Sequence, residues 1–199
     1  MKKQKTACVV VGAMGRMGQR ICHLLSASDD FILAGATEGP HSPYLGKSLK
    51  DAMGLPGDAV FMVERPEEVT ADFEAIIDFT FPEISMKTAA FAGREKKCAV
   101  IGSTGFSPEQ MQELKTLTRQ FPCVCAPNMS LGVTTLFKLV QDVAKILKDG
   151  FDVEVVEIHH RHKKDAPSGT AVKIAEILAQ AYGWNLEQAG VYQRRGFIG

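Results

Sequence analysis

The sequence predicts an α/β protein in which a doubly wound parallel sheet is followed by a smaller α+β domain. Short apolar segments, typical of strands buried on both faces, alternate with segments whose apolar residues recur at helical spacing. This alternation is typical of a parallel sheet covered by helices on both faces. It ends near Pro127, and the predicted domains are therefore 1–127 for the sheet and 128–199 for the second part.

Each element follows from a local pattern in the chain. The first helix begins at Arg16, and two later helices have Pro82 and Pro108 at the favoured first helical position. Residues 39–57 are rich in glycine and proline and predict a loop. Six strands are expected in the first domain: Thr6–Val11, Phe31–Ala36, Ala59–Val63, Ala75–Phe79, Cys98–Ile101 and Cys123–Ala126. The second domain is expected to contain a helix over Leu131–Leu147, a strand over Asp152–His160 and a helix over Ser168–Ala181.

Composition favours a folded cytoplasmic protein. The 199 residues include 45% hydrophobic residues, 23 basic side chains and 23 acidic ones. Nucleic-acid binding depends on an excess of Lys and Arg, so this balance argues against such a partner. No apolar run is long enough to predict a transmembrane helix, so no membrane association is expected. The five cysteines are an odd number in mostly apolar runs, which favours reduced core residues.

A glycine-rich turn joins the first strand to the first helix. In VVVGAMGRMGQRI the glycines are Gly12, Gly15 and Gly18, a spacing that resembles a dinucleotide-binding fingerprint. Such glycines let backbone N–H groups approach a pyrophosphate. Glu38 ends the second strand, where an acid can accept from the adenosine ribose, and its charge favours NAD over NADP. The alternative is a structural turn with a surface glutamate.

Two more turns follow strands of the same sheet. Gly102-Ser103-Thr104-Gly105 follows the fifth strand, and Ala126-Pro127-Asn128-Met129 follows the sixth. Open α/β sheets bind ligands at the carboxyl ends of their strands, so both turns are candidate cofactor contacts. Ordinary turn chemistry is the alternative for each.

The segment EIHHRHKKDAPSGTA concentrates titratable side chains before a helix. A metal site using His159, His160 and His162 is one alternative, but adjacent residues of a strand point to opposite faces. Lys163 and Lys164, which follow these histidines, would repel a cation, so no metal is predicted. A solvated basic strand end is another alternative.

An anion site with acid–base groups is the favoured interpretation of this segment. The helix that Ser168-Gly169-Thr170 begins offers free N–H groups and hydroxyls, which suit a carboxylate. His160 and Lys163 add positive charge, and a histidine or lysine can donate a proton. The second domain therefore looks suited to a small acidic substrate.

Several motifs together resemble one enzyme family, the 4-hydroxy-tetrahydrodipicolinate (dihydrodipicolinate) reductases of diaminopimelate and lysine biosynthesis. They are VGAMGRMG, DFTFPE, IGSTGF, APNMSLGV and EVVEIHHRHKKDAPSGTA, of which the last is the most specific. The resemblance implies an NAD(P)H-dependent oxidoreductase with a Rossmann-like first domain. It also implies a small dicarboxylate substrate and, for full-length members, a homotetramer.

Residue roles carry over from the resemblance position by position. The implied acid–base pair is His159 and Lys163, and the implied substrate contacts are His160, Ser168, Gly169 and Thr170. The implied cofactor contacts are Gly12, Ala13, Met14, Gly15, Arg16, Met17, Glu38, Gly102, Ser103, Thr104, Ala126, Pro127, Asn128 and Met129.

Three departures from the family pattern bear on these expectations. Some members carry arginine where Gly39 and Phe81 stand here, and loss of both cations predicts that NADH is preferred or fully accepted beside NADPH. The chain ends at RRGFIG, whereas family members continue, so the resemblance implies a truncated chain. Two alternatives stay open: a non-catalytic NAD(P)-binding fragment, and another nicotinamide oxidoreductase acting on a small acid.

Overall fold

The computed structural model describes residues 4–57, 60–148, 150–161, 163 and 166–192. The chain forms two compact units, Met1–Ala126 and Pro127–Gly199. Within the described residues, no helix is both long enough and apolar enough to cross a membrane.

The first unit is built on a six-stranded sheet. Its strands run in the order β3-β2-β1-β4-β5-β6, and all neighbouring pairs are parallel. This order reverses beside β1, as in a doubly wound sheet that binds a dinucleotide, and it confirms the predicted fold class. The strands are β1 (Thr6–Val11), β2 (Phe31–Thr37), β3 (Met62–Val63), β4 (Ala75–Asp78), β5 (Cys98–Ile101) and β6 (Cys123–Cys125).

Helices of the first unit start where local capping chemistry predicts. At α3, Pro82 occupies the first turn. At α4, Ser107 and Gln110 form a reciprocal capping box that satisfies two backbone N–H groups. The helices of this unit are α1 (Arg16–Ser26), α2 (Leu49–Met53), α3 (Pro82–Glu95) and α4 (Pro108–Leu117), and short 3₁₀ turns cover Pro66–Glu68 and Thr118–Gln120.

Alternation along β1 divides the core of this unit into two clusters. Val9 belongs to one cluster, with Ile76 and Ile101 among its members. Val10 belongs to the other, with Leu49 and Met62. Successive side chains of a strand point to opposite faces, so a continuous apolar strand supplies both layers of helices at once.

The structure corrects three predictions in this unit. Residues 39–57 are not entirely loop, because Ser48 caps the five-residue helix α2 through its side chain. The third strand is short, since only Met62–Val63 pairs with β2. The cysteines are not all core residues: Cys8 and Cys22 are buried, whereas Cys98 and Cys125 are exposed.

The regular secondary structure described in the second unit consists of helices. Its helices are α5 (Leu131–Ile146), α6 (Gly169–Tyr182) and α7 (Leu186–Ala189), and α5 packs against α6. The strand predicted over Asp152–His160 is wrong. A strand requires a ladder partner, and no described segment pairs with this one. Residues 152–160 are exposed to solvent, and Ile158 is 92% accessible.

Candidate active site

The glycine turn after β1 is held by its own backbone. Gly12 has φ +68°, and the N–H groups of Gly12 and Ala13 both donate to the carbonyl of Thr37 at the end of β2. The N–H of Gly15 donates to the carbonyl of Gly12. These bonds fix the turn and occupy the N–H groups of Gly12, Ala13 and Gly15.

The first turn of α1 presents the free donors. Gly15 caps the helix without a side-chain hydrogen bond, and within the described residues no hydrogen bond uses the N–H groups of Arg16, Met17 or Gly18. These groups carry the positive end of the helix dipole. A pyrophosphate therefore fits here, and the first turn of α1 is where the structure places donors for it.

Gly18 makes this arrangement possible. A Cβ at Gly18 would collide with the carbonyl oxygen of Gly12 and with the backbone of Ala13. The helix thus lies against the turn at a distance that only glycine permits. The sequence motif is explained by this contact, in addition to the conformational freedom of Gly12.

Glu38 lies beside the glycine turn, as its motif predicts. Its Oε1 accepts from the N–H of Met14 at 2.6 Å, which ties the end of β2 to the turn after β1. Its Oε2 accepts no hydrogen bond from the part of the chain that the structure describes. One carboxylate oxygen therefore positions the side chain, and the other can accept from a ribose hydroxyl.

A buried aspartate organises the loop after β4. Asp78 is fully buried, and it accepts from the N–H and the hydroxyl of Thr80 and from the hydroxyl of Thr88. Thr80 also packs against the glycine turn, since a Cβ added at Gly12 would lie 2.6 Å from the methyl group of Thr80. Sequence reasoning missed this network. The available signal was a charged residue ending an apolar strand, in the motif DFT.

The turn after β5 lies against the same loop. The N–H of Gly102 donates to the carbonyl of Asp78 at 2.8 Å, and a Cβ at Gly102 would collide with the ring of Phe79. The Ser103 hydroxyl is buried and 2.6 Å from that of Ser85, so this side chain joins the turn to α3. Thr104 is exposed at this sheet edge and is the hydroxyl of the turn that a ligand can reach.

The turn after β6 is divided between the two units. Ala126 ends the first unit and donates its N–H to the carbonyl of Ile101. Pro127, Asn128 and Met129 belong to the second. The Asn128 side chain accepts from the N–H of Ser130, the cap of α5, so its carbonyl oxygen already has a structural partner.

The predicted acid–base residues lie in the second unit, on the exposed segment and the turn that follows it. The side chain of His159 is 39% exposed. The N–H of Lys163 donates to the carbonyl of His160 at 3.2 Å, closing a turn. His162 lies outside the described residues. Among the described residues, no group of three or more His, Cys, Asp or Glu side chains could hold a metal ion.

The start of α6 separates the roles of the three predicted anion contacts. Ser168 is buried, and its hydroxyl oxygen accepts from the N–H of Ala171 at 3.1 Å as a helix cap. The N–H groups of Gly169 and Thr170 make no hydrogen bond within the described ranges. A carboxylate can therefore bind Gly169 and Thr170, while Ser168 shapes the turn.

Glu157 connects the two parts of this constellation and was missed by sequence reasoning. Its Oε1 accepts from the N–H of Ser168 at 2.8 Å, and its Oε2 lies 3.4 Å from Nδ1 of His159. The hydrogen bond from Ser168 holds the pKa of Glu157 below its ordinary range, with smaller help from the charges of His159 and Lys163.

Comparison with known proteins agrees with the resemblance seen in the motifs. Residues 6–129 match the family model for the N-terminus of dihydrodipicolinate reductase, and residues 132–196 match the model for its C-terminus. The 4-hydroxy-tetrahydrodipicolinate reductase of Desulfotalea psychrophila is 46% identical over 194 residues, which are 98% of this chain and 72% of that protein. The same enzyme of Syntrophobacter fumaroxidans is 44% identical, over 96% of this chain and 71% of the relative.

A solved structure shows the same likeness in three dimensions. The dipicolinate-bound dihydrodipicolinate reductase from Paenisporosarcina sp. TG-14 superimposes with a TM-score of 0.71 at 28% identity, over 90% of this chain and 67% of that one. With both family models matched along its length, the chain belongs to the dihydrodipicolinate reductase family.

Proposed function

We propose that this chain reduces 4-hydroxy-tetrahydrodipicolinate to tetrahydrodipicolinate with a nicotinamide dinucleotide, in the diaminopimelate pathway to lysine. The observation that carries the proposal is the 46% identity with a named 4-hydroxy-tetrahydrodipicolinate reductase over 98% of this chain. The N-terminal and the C-terminal family models both match this chain, and it spans 72% of that relative's length.

In this proposal, the first unit binds the cofactor and the second unit binds the substrate. The first unit holds the cofactor, with Arg16–Gly18 at the pyrophosphate and Glu38 at the adenosine ribose. Gly102 and Thr104 of this unit are the proposed nicotinamide contacts. The second unit holds the dicarboxylate through the N–H groups of Gly169 and Thr170, with added positive charge from His160 and Lys163. The solved relative bound to dipicolinate supports a small dicarboxylate as the ligand.

In this reaction, side chains of the protein donate a proton and backbone groups orient the substrate. The substrate loses water to give a conjugated imine, and the reduced nicotinamide, when bound, supplies a hydride to it. The hydride leaves negative charge on the ring, and His159 or Lys163 quenches that charge by donating a proton. The carboxylate contacts at the start of α6 hold the ring in place for this transfer.

NADH is the proposed preferred cofactor, with NADPH also accepted. The free Oε2 of Glu38 repels a 2′-phosphate, and neither Gly39 nor the exposed Phe81 offers a cation to compensate. Of the lysines in the neighbouring loop, Lys47 places its ammonium over the ring of Tyr44. This lysine therefore has a partner within its own loop.

Turnover of both cofactors tests the proposal directly. NADH and NADPH oxidation is measured with substrate made in situ by condensing pyruvate with aspartate semialdehyde, using the preceding synthase. Turnover with an NADH rate at least equal to the NADPH rate is expected. Tight NADH binding without turnover, unchanged by His159→Gln, would instead support a nucleotide-binding fragment. A strong preference for NADPH would contradict the Glu38 argument alone.

A further inference from the structure

We propose that Glu157 is a positioning residue that fixes His159 relative to the carboxylate-binding start of α6. This inference rests on the proposed function, because it gives His159 its acid–base role. Glu157 does not need to touch the substrate, because it acts through His159 and through the backbone at the start of α6.

The geometry assigns one task to each oxygen of the Glu157 carboxylate. Oε1 accepts the Ser168 N–H at 2.8 Å, a full hydrogen bond to the backbone that opens α6. Oε2 lies 3.4 Å from Nδ1 of His159, within ion-pair reach of a protonated ring. Glu157 lies 11 residues before Ser168 and two residues before His159, so a single carboxylate links the start of α6 to the histidine ring.

The surroundings of His159 give this contact its importance. Residues 151–160 belong to no helix or strand among the described residues, so ladder hydrogen bonds do not orient the ring. The α6 start, by contrast, is fixed by the Ser168 cap and by the Val172 N–H bond to the Ser168 carbonyl. Glu157 therefore holds His159, on an exposed segment, in a fixed position relative to the capped start of α6.

The contact between Glu157 and Ser168 also determines which backbone N–H groups at the start of α6 are available to a ligand. Because Glu157 occupies the Ser168 N–H and the Ser168 hydroxyl occupies the Ala171 N–H, the open donors are those of Gly169 and Thr170. The ligand carboxylate is thereby directed to two adjacent N–H groups. Its position relative to His159 is then set by the Glu157 bridge, as proton transfer requires.

Two substitutions separate the tasks of Glu157. Glu157→Gln keeps an oxygen that can accept from Ser168 but removes the charge facing His159. Glu157→Ala removes both contacts. Glu176→Gln is the matched control, because Glu176 also pairs with a cation, Lys173 at 3.0 Å, on the exposed surface of α6.

A split between kcat and KM is the expected result. For Glu157→Gln we expect kcat to fall about two- to fivefold, the size of a partly exposed ion pair, with KM nearly unchanged. For Glu157→Ala we expect the same loss of kcat, with KM and the dissociation constant for dipicolinate raised about tenfold by loss of a charge-assisted hydrogen bond. The control should match the wild type in all three quantities.

Outcomes that contradict the inference are distinct from those that contradict the proposed function. A wild-type chain that neither turns over substrate nor binds dipicolinate contradicts the function. An active wild type with an equally active Glu157→Gln variant contradicts only the role of Glu157. If both variants lose kcat and dipicolinate affinity to the same extent, and these losses follow a lower melting temperature, Glu157 is a purely structural residue and the inference is also contradicted.

Discussion

The two units build their parts of the site by different means. In the first unit, the candidate cofactor contacts follow strands whose backbones are paired along a buried parallel sheet, and the buried Asp78 is fully hydrogen-bonded. In the second unit, His159 and Lys163 lie on a segment and a turn that join no sheet among the described residues, and Glu157 ties His159 to the start of α6. Secondary structure thus positions the first set of groups, and side-chain contacts position the second.

This difference predicts how each unit responds to substitution. A change at the sheet edge should alter folding and cofactor binding together, because the same backbone serves both. A change at His159 or Lys163 should alter chemistry with little effect on stability, because His159 is exposed, Lys163 is half-buried, and neither belongs to the core.

The largest expected effect is on the rate after substitution of the acid–base residues. His159→Gln should lower kcat by about 10²- to 10⁴-fold with little change in KM, the loss expected when a positioned proton donor is removed. Lys163→Gln is the parallel variant, and the larger loss of kcat identifies the main donor. Unchanged melting temperatures in both would separate this loss from unfolding. An increase in KM alone would assign a binding role instead.

The next effect tests the packing of the glycine turn. Gly18→Ala places a methyl group against the Gly12 carbonyl and the Ala13 backbone. We expect it to lower the free energy of unfolding by about 1–3 kcal/mol and to weaken NADH binding in parallel. Gly39→Ala is the stability control, because a Cβ there meets nothing within 4 Å. Thermal unfolding and NADH fluorescence titration measure the two effects. A stable Gly18→Ala protein with normal NADH affinity would contradict the close approach of α1 to the turn.

Much of the cofactor side was predictable because its signals are local. A glycine motif between an apolar strand and a helix, and an acid ending the next strand, are specified by residues close in sequence. The Asp78–Thr88 contact was not predictable, because it depends on how α3 packs on β4. The five-residue helix α2 was missed for a different reason: it is too short to show periodicity within a glycine-rich segment.

On the substrate side, the residues were predicted but their framework was not. The alternation of Val153 and Val155 suggested a strand, yet alternation shows only which faces a strand would have, and pairing requires a partner. The Ser168 cap and the following helix were predicted from local chemistry. The link through Glu157 could not be, because it joins residues 11 positions apart through a turn.

A smaller effect concerns cofactor choice at the sheet edge. Gly39→Arg places a cation beside Glu38, in space that is open around Gly39. A guanidinium that meets a 2′-phosphate is expected to raise kcat/KM for NADPH about tenfold while leaving that for NADH within about twofold. Gly39→Gln, of similar length and without charge, is the control. Equal gains for both cofactors would show that the arginine acts other than through the phosphate.

The smallest expected effect is a difference in thiol reactivity that reports on the order of the first unit alone, since all five cysteines lie within it. Burial raises the pKa of Cys8 to about 11 and that of Cys22 to about 12. Because the thiolate is the reactive form, both should resist alkylation at pH 8. Cys98 is exposed to the reagent and should be alkylated before them. Mass spectrometry of the protein at successive times of alkylation, with and without denaturant, shows which cysteines react first. Early labelling of Cys22 in the native protein would show that α1 opens from the sheet, and it would weaken the contrast between an ordered cofactor side and a substrate side held by side-chain contacts.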